Sequence, residues 1–335
     1  MRIVITGGCG FLGRRVAMRL LDRETAGGPV DELVLFDSAP PALPLPDDKR
    51  LQVVTGDIAD RDTVARLIAP GPDAAQTDAV FHLAAIVSGQ AEADTDLGYR
   101  VNLDGTRAVL DSCRALGPKD NRLPKLIFAS SLAVYGGALP QEVGEETAPT
   151  PQSSYGAQKA IGELLVNDYS RKGFIDGMAL RLPTVVVRPG LPNRAASTFA
   201  SSMIREPLTG RDAVCPVSPD TVMALASPRR VVAGLVHALD LPSGALGANR
   251  SLQLPGFSVS VGDMAEALRR AGGDAAYRRI DWQPDPQIQA IISSWPQALA
   301  APRAEALGFG RDSGIDEVIA AFIEDDLPLQ RQLAG

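Results

Sequence analysis

Short, largely apolar and β-branched runs recur along this chain at intervals that leave room for helices between them. They are Arg2-Ile3-Val4-Ile5-Thr6, Glu32-Leu33-Val34-Leu35-Phe36-Asp37, Leu51 through Ile58, Ala79-Val80-Phe81-His82-Leu83-Ala84-Ala85 and Met178 through Val187. Between them the apolar positions take the helical repeat, over Arg14–Leu21, Arg61–Ile68, Leu97–Leu116 and Tyr155–Lys172. A β-α-β-α-β series of this kind predicts an α/β fold, with a doubly wound parallel sheet and helices on both faces. Four prolines between Pro40 and Pro46 mark a stiff surface loop between strands rather than a linker. Beyond Val187 the chain becomes richer in Ser, Pro and Arg. The helix near Arg229–Leu239 and the strand near Ser251–Leu254 are nevertheless expected to return to the sheet. The pattern therefore divides into a unit of residues 1–187, rejoined by 225–256, and a smaller interleaved unit of 188–224 and 257–330.

Composition narrows the class. With 335 residues, 45% of them hydrophobic, the chain can bury a sizeable core. A net charge of −7 argues against nucleic acid and anionic membranes as partners, so an acidic substrate would need a local arginine cluster. No stretch approaches the ~20 apolar residues needed to cross a bilayer. Three cysteines, Cys9, Cys113 and Cys215, have no metal-ligand spacing; no metal is expected, and a reducing, cytoplasmic setting is.

The first strand runs into Gly7-Gly8-Cys9-Gly10-Phe11-Leu12-Gly13 and then a helix. Gly7, Gly10 and Gly13 permit a tight turn, close approach of backbone N–H groups to phosphate and close helix–strand packing. The plain alternative is an ordinary strand-to-helix turn. Asp37 ends the second strand 24 residues beyond Gly13, where a carboxylate accepts hydrogen bonds from both ribose hydroxyls and repels a 2′-phosphate. No Arg or Lys follows directly, which favours NAD over NADP; a strand-end Asp capping its own turn is the alternative. His82, at the end of an apolar strand, reads as structural rather than as a base. Tyr155 and Lys159 lie four residues apart and share a helix face. A phenol has a pKa of about 10. A nearby ammonium favours its phenolate, which then accepts a proton from an alcohol.

Thr6 through Gly13, Gly56-Asp57-Ile58, His82-Leu83-Ala84-Ala85, Asn102-Leu103-Asp104-Gly105-Thr106, Ser130 through Gly136 and Tyr155 through Lys159 occur in the order seen in the extended short-chain dehydrogenases/reductases, and the chain resembles that family. The resemblance implies a Rossmann-type domain binding NAD. Its cofactor contacts would come from Gly7, Gly10, Phe11, Leu12, Gly13, Asp37, Asp57, Ile58, Leu83, Ala84, Ala85, Asn102, Tyr155, Lys159 and Pro183. It implies a catalytic group of Ser131, Tyr155 and Lys159, and a homodimer paired through the helices near 97–116 and 155–172.

Many relatives of this kind carry an Asn three residues after the arginine corresponding to Arg181, for the diphosphate of a sugar nucleotide. This chain has Thr184 there. Downstream, Arg188, Asn193 and Arg194 offer two guanidiniums and an amide suited to a small hydroxylated acid; a solvated basic loop is the alternative. With Ser88, Ser131 and Tyr155, these residues resemble the branch that oxidises C2 of a four-carbon sugar acid. A sugar-nucleotide epimerase or dehydratase, and a non-catalytic NAD-binding protein, are the competing readings.

Overall fold

The structure, a computed structural model, describes residues 1–22, 25–71, 75–190 and 196–334. Its strands are β1 (Arg2–Thr6), β2 (Glu32–Asp37), β3 (Leu51–Thr55), β4 (Thr77–His82), β5 (Lys125–Ser131), β6 (Asp176–Leu182), β7 (Thr184–Val185), β8 (Ala213–Cys215), β9 (Val222–Ala226), β10 (Ser251–Gln253), β11 (Phe257–Ser260) and β12 (Ile280–Trp282). Seven of them form one sheet in the order β10-β6-β5-β4-β1-β2-β3. Every pairing in it is parallel.

Parallel strands need helical crossovers, which cover both faces and explain why the strand runs are apolar throughout. Successive side chains of β1 go to opposite sides. Ile3 and Ile5 pack with Leu20, Leu235 and Leu239 of the helices Phe11–Leu21 and Pro228–Asp240. Val4 packs with Val64, Val109 and Val166 of the helices Arg61–Ile68, Gly105–Leu116 and Ser154–Arg171. Each such side chain, fully buried, contributes about 1.5–3 kcal/mol relative to exposure. The strand order reverses between β1 and β4, which opens a crevice at the carboxyl ends of the strands.

The second unit has its own core, where Val187, Met203, Met223, Leu268 and Phe322 meet. A three-stranded sheet, β11-β9-β7, and the pair β12-β8 frame it. The chain returns to the large sheet through helix 228–240, capped by Ser227, and through β10 beside β6. Ala226 still pairs in β9 with Val185, and the helix that returns to the large sheet begins at Pro228.

Three elements differ from their sequence pattern for identifiable reasons. The run Met178–Val187 is not one strand: β6 ends at Leu182, because Pro183 offers no N–H to a ladder, and the chain passes into β7 of the other sheet. The helical stretch 97–116 is interrupted by a wide π turn over Tyr99–Asp104. Just after that turn Gly105 lies so close to Ile58 that a Cβ would sit 2.9 Å from its side chain. The third strand ends at Thr55 and is an edge strand, with Val53 and Val54 exposed.

Candidate active site

A cleft of about 840 Å³ lies along the carboxyl ends of β1, β2, β4, β5 and β6. At one end is the glycine turn. Gly7 has φ +69, and a Cβ there would come within 2.7 Å of the Ala84 backbone nitrogen. Only glycine fits that approach. Gly10 caps helix 11–21 without a side-chain acceptor, so its first N–H groups stay available at the cleft, where Phe11, Leu12 and Gly13 line the wall. Bare N–H groups at a helix N-terminus, beside a surface kept free of Cβ atoms, suit a pyrophosphate.

Asp37 stands beside this turn. Its Oδ2 accepts from the Cys9 N–H at 3.1 Å and its Oδ1 from the Ser38 N–H at 2.8 Å. It therefore caps its own turn and still faces the cleft with acceptor capacity remaining. Asp57 accepts from the Ala59 N–H at 2.9 Å and from Arg100 at 2.6 Å, and these bonds hold its carboxyl below the usual range. Ile58, Leu83, Ala84, Ala85 and Pro183 also line the cleft.

Asn102 does not. Its Oδ1 accepts from the Ile86 N–H at 2.7 Å, while its Nδ2 donates to the Ile86 carbonyl at 3.1 Å and to Gln158 at 2.8 Å. Asn102 shapes the segment after β4 from behind and is expected to act on a cofactor only through it. His82 is also internal. It bridges Thr6 at 2.7 Å and Thr106 at 2.9 Å, and burial, aided by Lys159, pushes its pKa down to about 3, so it is neutral and structural.

At the centre, Ser131 ends β5, and Tyr155 and Lys159 rise from the first turns of helix 154–171, whose N-terminus Ser153 caps by accepting from the Gly156 N–H at 3.1 Å. Gly156 is required, since a Cβ there would run into the Ala133 carbonyl. Lys159 is 3% exposed. Its Nζ donates to the Ala129 carbonyl at 2.7 Å and lies 5.7 Å from the Tyr155 ring centroid. Burial pushes the Lys159 pKa down to about 7 against the pull of Glu163. Tyr155 has its pKa raised by burial, opposed by a hydrogen bond with Ser131 and by the charge of Arg188. Burial thus works against the phenolate, and Ser131 and Arg188 favour it. Ser130 turns its hydroxyl away, to Glu163 at 2.5 Å.

The cleft beyond Tyr155 is lined by Thr184 and Arg188 of the segment that joins the two units and by Ser88 of the first. The Arg188 N–H donates to Ser201 Oγ at 3.1 Å, and its carbonyl accepts from Arg205 Nη1 at 2.6 Å. Among the described residues no side-chain partner takes up the Arg188 guanidinium. Burial, then the neighbouring Arg205, lowers its pKa, and Tyr155 raises it. Asn193 and Arg194 lie outside the described residues.

Sequence reasoning passes over Ser201, Arg205 and Trp295, which also line the cleft. One signal for Arg205 is available: Arg205-Glu206 is a charged pair inside the otherwise apolar helix Thr198–Leu208, and Arg205 is 2% exposed. A buried arginine there needs partners. It finds Glu206 at 2.6 Å and Ser202 at 3.1 Å, and with Nη1 on the Arg188 carbonyl it braces Arg188 rather than offering a free fork.

A doubly wound dinucleotide cleft with a Ser, Tyr and Lys group at its centre defines a nicotinamide-dinucleotide-dependent enzyme acting on an alcohol carbon. Comparison with known proteins agrees. The chain belongs to the NAD dependent epimerase/dehydratase family, whose pattern it matches over residues 3–244. It is 53% identical over 331 residues to the D-erythronate dehydrogenase of Cupriavidus necator, covering 97% of this chain and 98% of that one. It is 47% identical over 327 residues to the D-erythronate dehydrogenase of Haemophilus influenzae, covering 98% and 100%. Among solved structures, the nucleoside-diphosphate-sugar epimerase from Agrobacterium tumefaciens superimposes with a TM-score of 0.91 at 42% identity, covering 98% of this chain and 95% of that one. Among the described residues no group of three His, Cys, Asp or Glu side chains could hold a metal ion. No helix there is long and apolar enough to cross a membrane.

Proposed function

We propose that this protein oxidises D-erythronate at C2 to 2-dehydro-D-erythronate with NAD. The observation that carries the reading is the guanidinium of Arg188, which no described side chain takes up and which lines the cleft with Tyr155, in a chain about half identical to two D-erythronate dehydrogenases. A carboxylate next to the reacting carbon needs a cation at that position.

The glycine turn, Asp37 and the small residues Ala84 and Ala85 would hold the dinucleotide, and Lys159 its nicotinamide ribose. Bound there, the nicotinamide supplies the acceptor for the hydride from C2. Arg188 holds the C1 carboxylate through two parallel hydrogen bonds and fixes which carbon lies beside Tyr155. Ser131 donates to the C2 oxygen. Tyr155 takes the hydroxyl proton as the carbonyl forms, and the charges of Arg188 and of the Lys159 ammonium stabilise the phenolate that makes this possible.

Thr184 in the position where sugar-nucleotide enzymes carry an amide supports a free acid over a nucleotide sugar. The test is stoichiometric NADH formation across C3 to C6 sugar acids and UDP-sugars. Turnover of a UDP-sugar with no free NADH would overturn the reading. Inability to turn over any of these compounds while still binding NAD would favour a non-catalytic protein.

The cofactor falls to residues 1–187, rejoined by 225–256, and the remaining residues complete the substrate site begun by Ser88, Ser131, Tyr155 and Thr184. A homodimer through the face carrying Tyr99 and Leu164 is supported by their exposure, Leu164 being 70% exposed on helix 154–171; a monomer in light scattering would exclude it. The buried thiols of Cys113 and Cys215 are free, in keeping with a reducing, cytoplasmic setting.

A further inference from the structure

A four-carbon acid has more to recognise than C1 and C2. With its carboxylate on Arg188 and its C2 oxygen between Ser131 and Tyr155, C3 and C4 remain, each with a hydroxyl group and C–H bonds. The hydroxyls call for hydrogen-bond partners and the C–H faces for an apolar surface. Trp295 offers both. Among the described residues it is the one aromatic side chain that the second unit brings to the cleft; the other rings there, Phe11, Phe36 and Tyr155, belong to the first.

The backbone holds Trp295 from both sides. It follows the helix Pro286–Ser293, which Asp285 caps by accepting from the Gln287 N–H at 2.8 Å and the Ile288 N–H at 3.2 Å. Ile292, 1% exposed, packs that helix into the second core, and its carbonyl accepts from the Trp295 N–H at 3.1 Å. Three residues beyond Trp295 the chain reaches the first unit. There the Ala298 carbonyl accepts from the Val143 N–H at 2.9 Å, and the Ala300 N–H donates to the Val143 carbonyl at 2.9 Å. The side chain of Trp295 is half-buried and rests on the second core. With two rotatable bonds and a fixed backbone, it makes a wall of set position at small entropic cost. Its indole N–H is unspent: among the described residues no acceptor takes it up, and it is not one of the unpaired polar atoms sealed in the interior.

We propose that Trp295 is a specificity-determining residue of the substrate site. Its indole face covers C3 and C4 of the acid, its N–H donates to a hydroxyl oxygen at that end, and its bulk sets the length of acid that the cleft accepts. The proposal rests on the reading of the substrate as a sugar acid held by Arg188. Longer acids are then rejected by contact with the ring, and a hydroxyl at the far end is favoured because without it the N–H loses its partner. Substitution separates the two effects. Phenylalanine keeps most of the bulk and lacks the donor; alanine removes both.

The experiment compares kcat/KM for D-erythronate and its five- and six-carbon homologues, at saturating NAD, in the wild type, W295F and W295A. W295F should lower the value for D-erythronate about three- to tenfold and keep the preference for four carbons over six. W295A should reduce that preference at least ~10-fold. A second readout is tryptophan emission while D-erythronate is added to NAD-loaded Y155F, which is slow enough for a binding titration. The chain has two tryptophans, Trp282 being the other, so Y155F/W295F serves as the blank. Emission should change in Y155F and stay flat in the blank. A wild-type preference in W295A, or emission that responds equally in both proteins, would overturn the proposal; should W295A not fold, W295F and the emission decide. If the wild type turns over no sugar acid, the reading of the substrate fails and takes this proposal with it, an outcome seen before any variant is made. Turnover of D-erythronate with no change at Trp295 fails the proposal alone.

Discussion

The two walls of the cleft are built by different means. One wall holds Ser131, Tyr155 and Lys159 on a strand end and a single helix turn, backed by the buried Glu163–Arg181 pair. The other holds Arg188, whose backbone is tied by Ser201 and Arg205 of helix 198–208 and whose neighbour Gly190 is tied by Gln330 near the end of the chain. The first wall is local in sequence and rigid. The second is assembled from three distant segments, and on the reading proposed above it selects the substrate. Chemistry is thus placed on elements that resist distortion, and specificity on a junction that can change without disturbing them.

The contrast is tested most severely at Tyr155. Tyr155→Phe removes the proton acceptor and should lower kcat by at least ~10² while NAD binding, measured by fluorescence titration, stays near wild type. Retention of turnover would mean that the rigid wall does not perform the proton transfer. Arg188→Met comes next. Losing charge-assisted hydrogen bonds to a carboxylate should raise KM for the acid by about 10- to 100-fold, with much less effect on the NAD dissociation constant. Equal losses in both would mean that Arg188 supports the cofactor rather than the substrate.

The same contrast explains how much of the molecule is legible in its sequence. Spacings of three or four residues betray the glycine turn and the Tyr155–Lys159 pair, because a turn or helix converts them directly into geometry. Asp37 is legible because strand ends in a parallel sheet share one edge. Asn102 sits in a recognisable motif, yet its amide faces Ile86 and Gln158; a motif marks a position and not a direction. The bracing of Arg188 by Arg205 depends on a tertiary contact that no local pattern marks. Two arginines in one short run, Arg188 and Arg194, look equivalent in sequence. The ties of the Arg188 backbone to Ser201 and Arg205, thirteen and seventeen residues further on, have no mark in that run.

The smallest expected effect probes how the second wall is held. Gln330 is fully buried, and its amide pairs with both backbone groups of Gly190, accepting from the N–H at 2.6 Å and donating to the carbonyl at 3.4 Å. Gly190 has φ +105, so the turn after Arg188 is one that a side chain would strain. The segment leading into Gln330 also reaches the glycine turn, since Asp326 is ion-paired with Arg15, which lies over the Phe11 ring. Gln330→Leu keeps the volume and deletes both bonds, leaving a buried N–H unpaired at a cost of about 1–3 kcal/mol. If that cost falls on the placement of Arg188, KM for the sugar acid rises roughly three- to tenfold while kcat and NAD affinity hold, because the loss concerns binding alone. Should the melting temperature fall with KM unchanged, the C-terminal helix merely closes the fold, and Arg188 is positioned by Ser201 and Arg205 without it.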